Sequence, residues 1–337
     1  MAVSRLPEWP RAHGDALFAA ALRTLPQDFQ VTEQLGWEFS GDGEHDYLWV
    51  EKIGANTEWM SRQLAAHAGV AAKDVGYAGL KDRHAITWQW FSVPRWHAPD
   101  WNAFSAEGVR IVDVQRHLRK LRRGAHRANA FRILLRCDGP VDAAALEARL
   151  AVIREQGVPN YYGEQRFGRQ GSNLQLADAW AAGKRLPRPK RSLAISTVRS
   201  FVFNQALAKR VREGTWNQLV AGDFANLDGT GSVFEVAEVD DTVRQRCAGM
   251  DVHPAIVLAG DGSGIEPVAW QLALERARVE SGQRSLRLPV RELSRELTDE
   301  GVSLCFTLDR GAFATSVLRE VCETRVMHPA SEIRGDH

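Results

Sequence analysis

From Asp46 the chain reads D-Y-L-W-V-E-K-I, and from Phe131 it reads F-R-I-L-L-R-C, with Phe131, Ile133, Leu135 and Cys137 alternating with their neighbours. Short runs rich in aromatic and branched apolar residues, the second with a period of two, predict strands over 46–53 and 131–137. Elsewhere the apolar period lengthens to that of a helix. Asn56-Thr57 can cap a helix that stops at Gly69, and Asp142 can cap one carrying Leu146, Leu150 and Ile153 to Gly157. A short polar side chain satisfies free N–H groups at a helix start, and glycine accepts the left-handed turn that ends one. Further helices are predicted over about 198–213, ahead of Gly214, and over about 267–280. The tail predicts one strand, 302–308, and one helix, 312–324.

Strands and helices are thus mixed, and the fold class expected is α+β. The tail pair is too small to form a core of its own and must pack on something earlier. Because the helix ending near Gly157 leads into a Tyr/Gly/Arg-rich segment unlike what precedes it, an inserted domain is expected over 157–302. Residues 1–156 and 303–337 would then form the other domain. No internal repeat and no low-complexity segment interrupts this pattern.

Composition narrows the class. The 337 residues, 44% hydrophobic and 25% charged, describe an ordinary globular chain long enough for about two domains. The longest early apolar run, 16–22, is far shorter than a bilayer span, and the expectation is a cytoplasmic protein with no membrane contact. Cys137, Cys247, Cys305 and Cys322 are widely separated, which excludes a C-x-x-C knuckle or redox pair. The net charge is +1, so a polyanion-binding surface has to be local. One stretch qualifies: R-H-L-R-K-L-R-R-G-A-H-R-A-N-A-F-R, from Arg116 to Arg132. Arg116, Arg119, Lys120, Arg122, Arg123 and Arg127 are its candidate phosphate contacts. A second cluster is Lys184, Arg185, Arg188, Lys190 and Arg191. A solvated basic face is the competing reading of either.

Common catalytic signatures are missing: the chain has no G-x-x-x-x-G-K-[ST], no H-E-x-x-H and no G-x-S-x-G. Gly260-Asp-Gly-Ser-Gly264 lacks the lysine of a phosphate loop and reads as a surface turn. The most unusual local sequence is G-Y-A-G-L-K-D-R-H-A-I-T-W-Q-W-F, Gly76 to Phe91. A carboxylate flanked by Lys81, Arg83 and His84 is expected to stay ionised well below neutral pH, which suits Asp82 to be a nucleophile or general base. A loop ion pair is the alternative.

Gly76 to Thr87 resembles the signature of the pseudouridine synthase D (TruD) family. Pro26 to Glu33, Gly43-Glu44-His45 with Asn56-Thr57 downstream, Asn160 to Gly168, and Gly311 to Ser316 resemble that family's other blocks in the same order. The resemblance implies a pseudouridine synthase catalytic domain interrupted by a family-specific TRUD domain. It implies a tRNA substrate, with uridine 13 as the usual target, an essential catalytic aspartate at Asp82, and no cofactor or metal. It further implies that Phe29 lies against the target base, that Asn129, Phe131 and Phe313 line the site, and that Arg23, where the family often has lysine, pairs with Asp82. A monomer without an obligate protein partner is expected. A noncatalytic RNA-binding protein on the same scaffold is the other reading, and a methyltransferase would need a glycine-rich nucleotide loop that is missing.

Overall fold

The computed structural model describes residues 6–258 and 266–326; the Gly260–Gly264 turn expected above lies outside them. The described residues form two compact units. One takes those within 17–146, 291–311 and from 322 onward; the other takes those up to 16 and within 147–290 and 312–321.

The first unit is built on a sheet. Its strands are β1 (Ala19–Leu22), β2 (Phe29–Gln34), β3 (His45–Ile53), β4 (Gly76–Tyr77), β5 (Ile86–Pro94), β6 (Val109–His117) and β7 (Ala128–Cys137). The other unit contributes β8 (Val158–Pro159), β9 (Phe224–Leu227), β10 (Val233–Glu235), β11 (Val252–Leu258), β12 (Gly282–Ser285) and β13 (Arg287–Leu288). The chain then returns to the first sheet with β14 (Arg291–Thr298), β15 (Gly301–Asp309) and β16 (Glu323–Val326).

In the ten-stranded sheet the order is β14-β15-β7-β2-β5-β3-β6, with β4 on β5 and β1 between β7 and β16. The β2–β5 and β1–β16 pairs are parallel and the rest antiparallel. Helix α1 (Thr57–Ala68) covers one face, where Met60, Leu64, Ala65 and Ala68 pack with Leu48, Val50, Phe91 and Val93. Asn56 caps it by accepting from the Trp59 amide, and Gly69 ends it at φ 67°, both as the sequence predicts.

Helices dominate the other unit: α2 (Ala143–Gln156) leads toward it, followed by α3 (Ser172–Ala181), α4 (Arg188–Arg212), α5 (Asp241–Ala248), α6 (Val268–Ala277) and the short α7 (Ala314–Leu318). Leu174, Ala177, Val198, Phe201, Trp270 and Leu274 of α3, α4 and α6 form its main core, and a small antiparallel sheet, β10-β9-β11-β12, stands beside them.

Three sequence expectations change. Helix α4 begins ten residues before the predicted 198, at Arg188, so three cations of the second basic cluster lie in its first turn. The predicted helix 312–324 is only Ala314–Leu318, because Glu323–Val326 turns extended to pair with β1. The unit bounds also differ from the 157–302 span, since β14 hydrogen-bonds to β15 and so stays with the first sheet. Among the described residues no helix is long and apolar enough to cross a membrane.

Candidate active site

Strand β2 buries Phe29, Val31 and Glu33 while its alternate residues stay more open. Register sets Asn129 of β7 opposite Glu33, Phe131 opposite Val31, and Phe306 of β15 opposite Phe131. On the other flank Thr87 of β5 neighbours both Val31 and Lys52 of β3. Because side chains of paired residues share a face, this apolar side of the sheet carries Lys52, Thr87, Gln89, Glu33 and Asn129 together.

The segment joining β4 to β5 carries Asp82, and a closed set of hydrogen bonds fixes it. Gln89 Nε2 donates to the Gly79 carbonyl (2.6 Å), the Thr57 hydroxyl donates to Gln89 Oε1 (3.0 Å), and the Lys81 amide donates to Thr57 Oγ1 (3.0 Å). Arg83 Nε donates to the Gly54 carbonyl at 3.1 Å. Asp82 is therefore held between anchored neighbours while its own side chain stays 43% exposed. Its Oδ2 accepts from Arg23 Nη2 at 2.6 Å; its Oδ1 accepts no hydrogen bond among the described residues.

Arg23 adopts φ 61°, a left-handed conformation that is costly for a residue with a Cβ. Its guanidinium lies 4.1 Å from the centroid of the Phe29 ring. Phe29 is thus 2% exposed, with Arg23 on one face and the Phe131 ring edge-on at 6.2 Å. It forms a floor under the arginine and shows no open face to a base. Phe131, stacked on Phe306 at 5.4 Å, is only half-buried. The structure thus brings Arg23, Asp82, Phe29, Asn129 and Phe131 into one site.

Its electrostatics come from groups whose signals in the sequence are weaker. Lys81 Nζ binds Glu33 Oε2 at 2.7 Å, with side chains 5% and 0% exposed. Burial pushes the Glu33 carboxyl up, and Lys81 opposes the shift. Lys52 is buried with its ammonium on the Ala55 carbonyl (2.8 Å); burial first, then Lys81, pushes it down to about 8, against the pull of Asp82. His126 is pushed down to about 4 by burial, Lys81 and Arg310, and its Nε2 faces Asn129 Nδ2 at 3.3 Å. A neutral ring accepting there carries its proton on Nδ1. Arg23 Nε, Thr87 Oγ1, His126 Nδ1 and Asn129 Oδ1 are all buried with no partner among the described residues, a concentration of unspent polar groups that marks a place for a polar ligand. Glu33 and Lys52 sit at inward positions of apolar strands, a signal that alternation could have exposed; for His126 no such signal exists.

The basic run is exposed at Arg116, Arg119, Lys120, Arg122, Arg123 and Arg127. It is pinned at Leu121, 2% exposed, whose amide donates to Ser92 Oγ at 2.8 Å. Arg123 stacks 3.6 Å from the Tyr77 ring centroid, whereas the side chains of Arg119, Arg122 and Arg127 have no hydrogen bond or ion pair among the described residues. The second cluster, 184–191, is exposed at its five cations.

Phe313 belongs to the other unit. Its ring lies 6.0 Å from that of Tyr162, and Arg284 stands 4.0 Å from the Tyr162 centroid while donating to Asn160 Oδ1 at 2.7 Å. Asn204 brackets the Tyr162 backbone, accepting from its amide and donating to its carbonyl at 2.9 Å each. Among the described residues no group of three His, Cys, Asp or Glu is placed to hold a metal ion.

The family model for tRNA pseudouridine synthase D (TruD) matches residues 15–177 and 172–271. The chain is 44% identical to the tRNA pseudouridine synthase D of Methylococcus capsulatus, over 93% of this chain and 94% of that protein. It is 43% identical to that of Cellvibrio japonicus, over 93% and 92%. A crystal structure from Methanosarcina mazei assigned as tRNA pseudouridine synthase D superposes with a TM-score of 0.67 at 17% identity, over 93% of this chain and 95% of that one; at that identity the likeness speaks for the α+β fold alone. With the family model spanning most of its length and relatives above 40% identity end to end, the chain belongs to the tRNA pseudouridine synthase D family of tRNA-modifying enzymes.

Proposed function

We propose that this protein converts a uridine of tRNA, uridine 13, to pseudouridine with Asp82 as the essential catalytic residue. The observation that carries this is the Asp82 carboxylate: one oxygen is gripped by Arg23 at 2.6 Å, and the other is unengaged on a half-open side chain. The reaction breaks N1–C1′, turns the uracil and joins C5 to C1′; C5 gives up its hydrogen as a proton and N1 gains one. Nothing is oxidised or reduced. The free Asp82 oxygen serves either covalently or as a base at C2′.

A uridine acted on this way has to leave its stack, at a cost of a few kcal/mol, and be held by a ring. Phe131 supplies that ring in this arrangement, and the unpartnered Asn129 Oδ1 accepts from a base N–H. Arg23 fixes one carboxylate oxygen and offsets its charge, and the Lys81–Glu33 pair fixes the residue before it. Phosphates meet Arg116, Arg119, Lys120, Arg122, Arg123 and Arg127, which position RNA without reading its sequence.

Tritium at uridine C5 of an unmodified tRNA tests the reaction, because C5 must lose its hydrogen. Release by the wild type and none by a folded Asp82→Asn variant is expected. Equal release by both would remove Asp82 from the chemistry, and no release from any tRNA would leave a binding protein. Mapping the product to a position other than 13 would overturn the target alone.

A further inference from the structure

At the opposite end of β5 from Asp82 the surface holds a cavity of about 470 Å³ lined by Gly43, Glu44, Arg95, Trp96, Ala98 and Arg116. We propose that this cavity is a second nucleotide-binding subsite, in which Trp96 stacks on a base and Arg95 and Arg116 take its phosphate, engaging RNA remote from the reacting uridine. The inference rests on the reading that RNA is the substrate.

Distance separates the two sites. Asp82 lies just before Ile86 and the cavity lies at and beyond Pro94; at ~3.3 Å per residue, β5 alone spans roughly 26 Å. The cavity is within the size range of a small-ligand pocket, roughly 300–1,000 Å³. Trp96 is 64% exposed, and its ring touches no other aromatic ring among the described residues. An indole face open beside two guanidinium groups matches how proteins hold single-stranded nucleic acid: a base stacks on the ring and the backbone runs along the cations.

Both arginines are aimed by one contact each and keep donors to spare. Arg116 Nη2 donates to the Gly43 carbonyl at 2.6 Å, and Arg95 forms an ion pair with Asp46 at 3.1 Å. The rim is rigid. The Arg95 amide donates to the Glu44 carbonyl at 2.9 Å and the Ala98 amide to the Arg95 carbonyl at 3.0 Å. Ala98 has φ 44°; Gly43 has φ 119°, and a Cβ there would meet the His117 carbonyl at 2.5 Å. Uncommon backbone held this firmly is characteristic of ligand sites. Glu44, facing the same space, favours a base that offers an amino group.

Continuity links the cavity to the active site. Arg116 is the first cation of the exposed run that passes through Arg119, Lys120, Arg122 and Arg123 to Arg127, two residues before Asn129. A backbone laid along it would reach from Trp96 to the catalytic row.

The test measures tRNA affinity in the Asp82→Asn background, with Trp96→Ala and Trp96→Phe added separately. One lost stacking partner is expected to raise the tRNA Kd by about fivefold or more, with Trp96→Phe restoring most of it. A short stem-loop carrying only the target uridine should bind both variants alike. An unchanged tRNA Kd in Trp96→Ala, or an equal loss for tRNA and stem-loop, overturns the subsite while tritium release by the wild type leaves the synthase reading standing. If the wild type neither binds tRNA nor releases tritium, both fall.

Discussion

Lys52 shows how one residue can cost stability at a site that needs it. Its folded value of about 8 lies below the ordinary 10.5. Between those values the unfolded chain holds a proton that the folded chain has shed, so stability rises with pH across that window. Below about 8 both states are charged and the full burial penalty is present. Lys52→Met should therefore raise the melting temperature at pH 7 and flatten its rise between pH 8 and 10.5. The same change should lower tritium release, because Asp82 loses an ammonium that acts on it. Thermal scans across pH check the first part; a variant no more stable at pH 7 would show that the ammonium is better solvated than its burial implies. The family blocks single out Arg23, Asp82, Asn129 and Phe131, and the structure pairs Arg23 with Asp82 and sets Asn129 and Phe131 on one strand beside β2. The family resemblance implies Phe29 as the ring against the base, and a resemblance of blocks does not reveal that Arg23 lies on its face. Glu33 and Lys52 are readable only as charges at inward positions of apolar strands, and His126 lies in a loop, where no periodicity marks it.

At the scale of elements, helix α1 reaches beyond its packing role. Its first residue, Thr57, is the hinge pin of the Asp82 segment, accepting from the Lys81 amide and donating to Gln89. Thr57→Val keeps the shape and removes both bonds, leaving a buried amide and a buried side-chain carbonyl oxygen unmet. Each such group costs about 1–3 kcal/mol. The expected outcome is a destabilised protein whose rate at saturating tRNA falls at least tenfold; wild-type turnover in this variant would mean that the loop is held by Gln89 and Arg83 alone. The caps of α1 were readable from Asn56 and Gly69 because capping is a local property. The end of the tail was not, since a partner strand, Ala19–Leu22, distant in sequence, draws 323–326 out of a helix.

For the whole molecule, the neutral overall charge hides a basic track from Arg116 to Arg127. If Arg119 and Arg122 each meet a phosphate, log K for tRNA should fall linearly with log salt, and Arg119→Gln with Arg122→Gln should reduce that slope by about 1.5. An unchanged slope would return these arginines to the role of a solvated face. The borders of the two units differ from those expected, because β14 and β15 pair into the sheet of β7 while 312–321 groups with 147–290. That pairing has a cost during synthesis. β7 ends at Cys137, but the strand that completes it, β15, is not made until 301–309, a wait of roughly 10–30 s at about 5–20 residues per second. Throughout that time a long apolar edge stands open on the nascent chain, the kind of edge that recruits other strands. A chain stopped at 290 should collect in the insoluble fraction, and the last seventh of the polypeptide is what makes the first two-fifths safe.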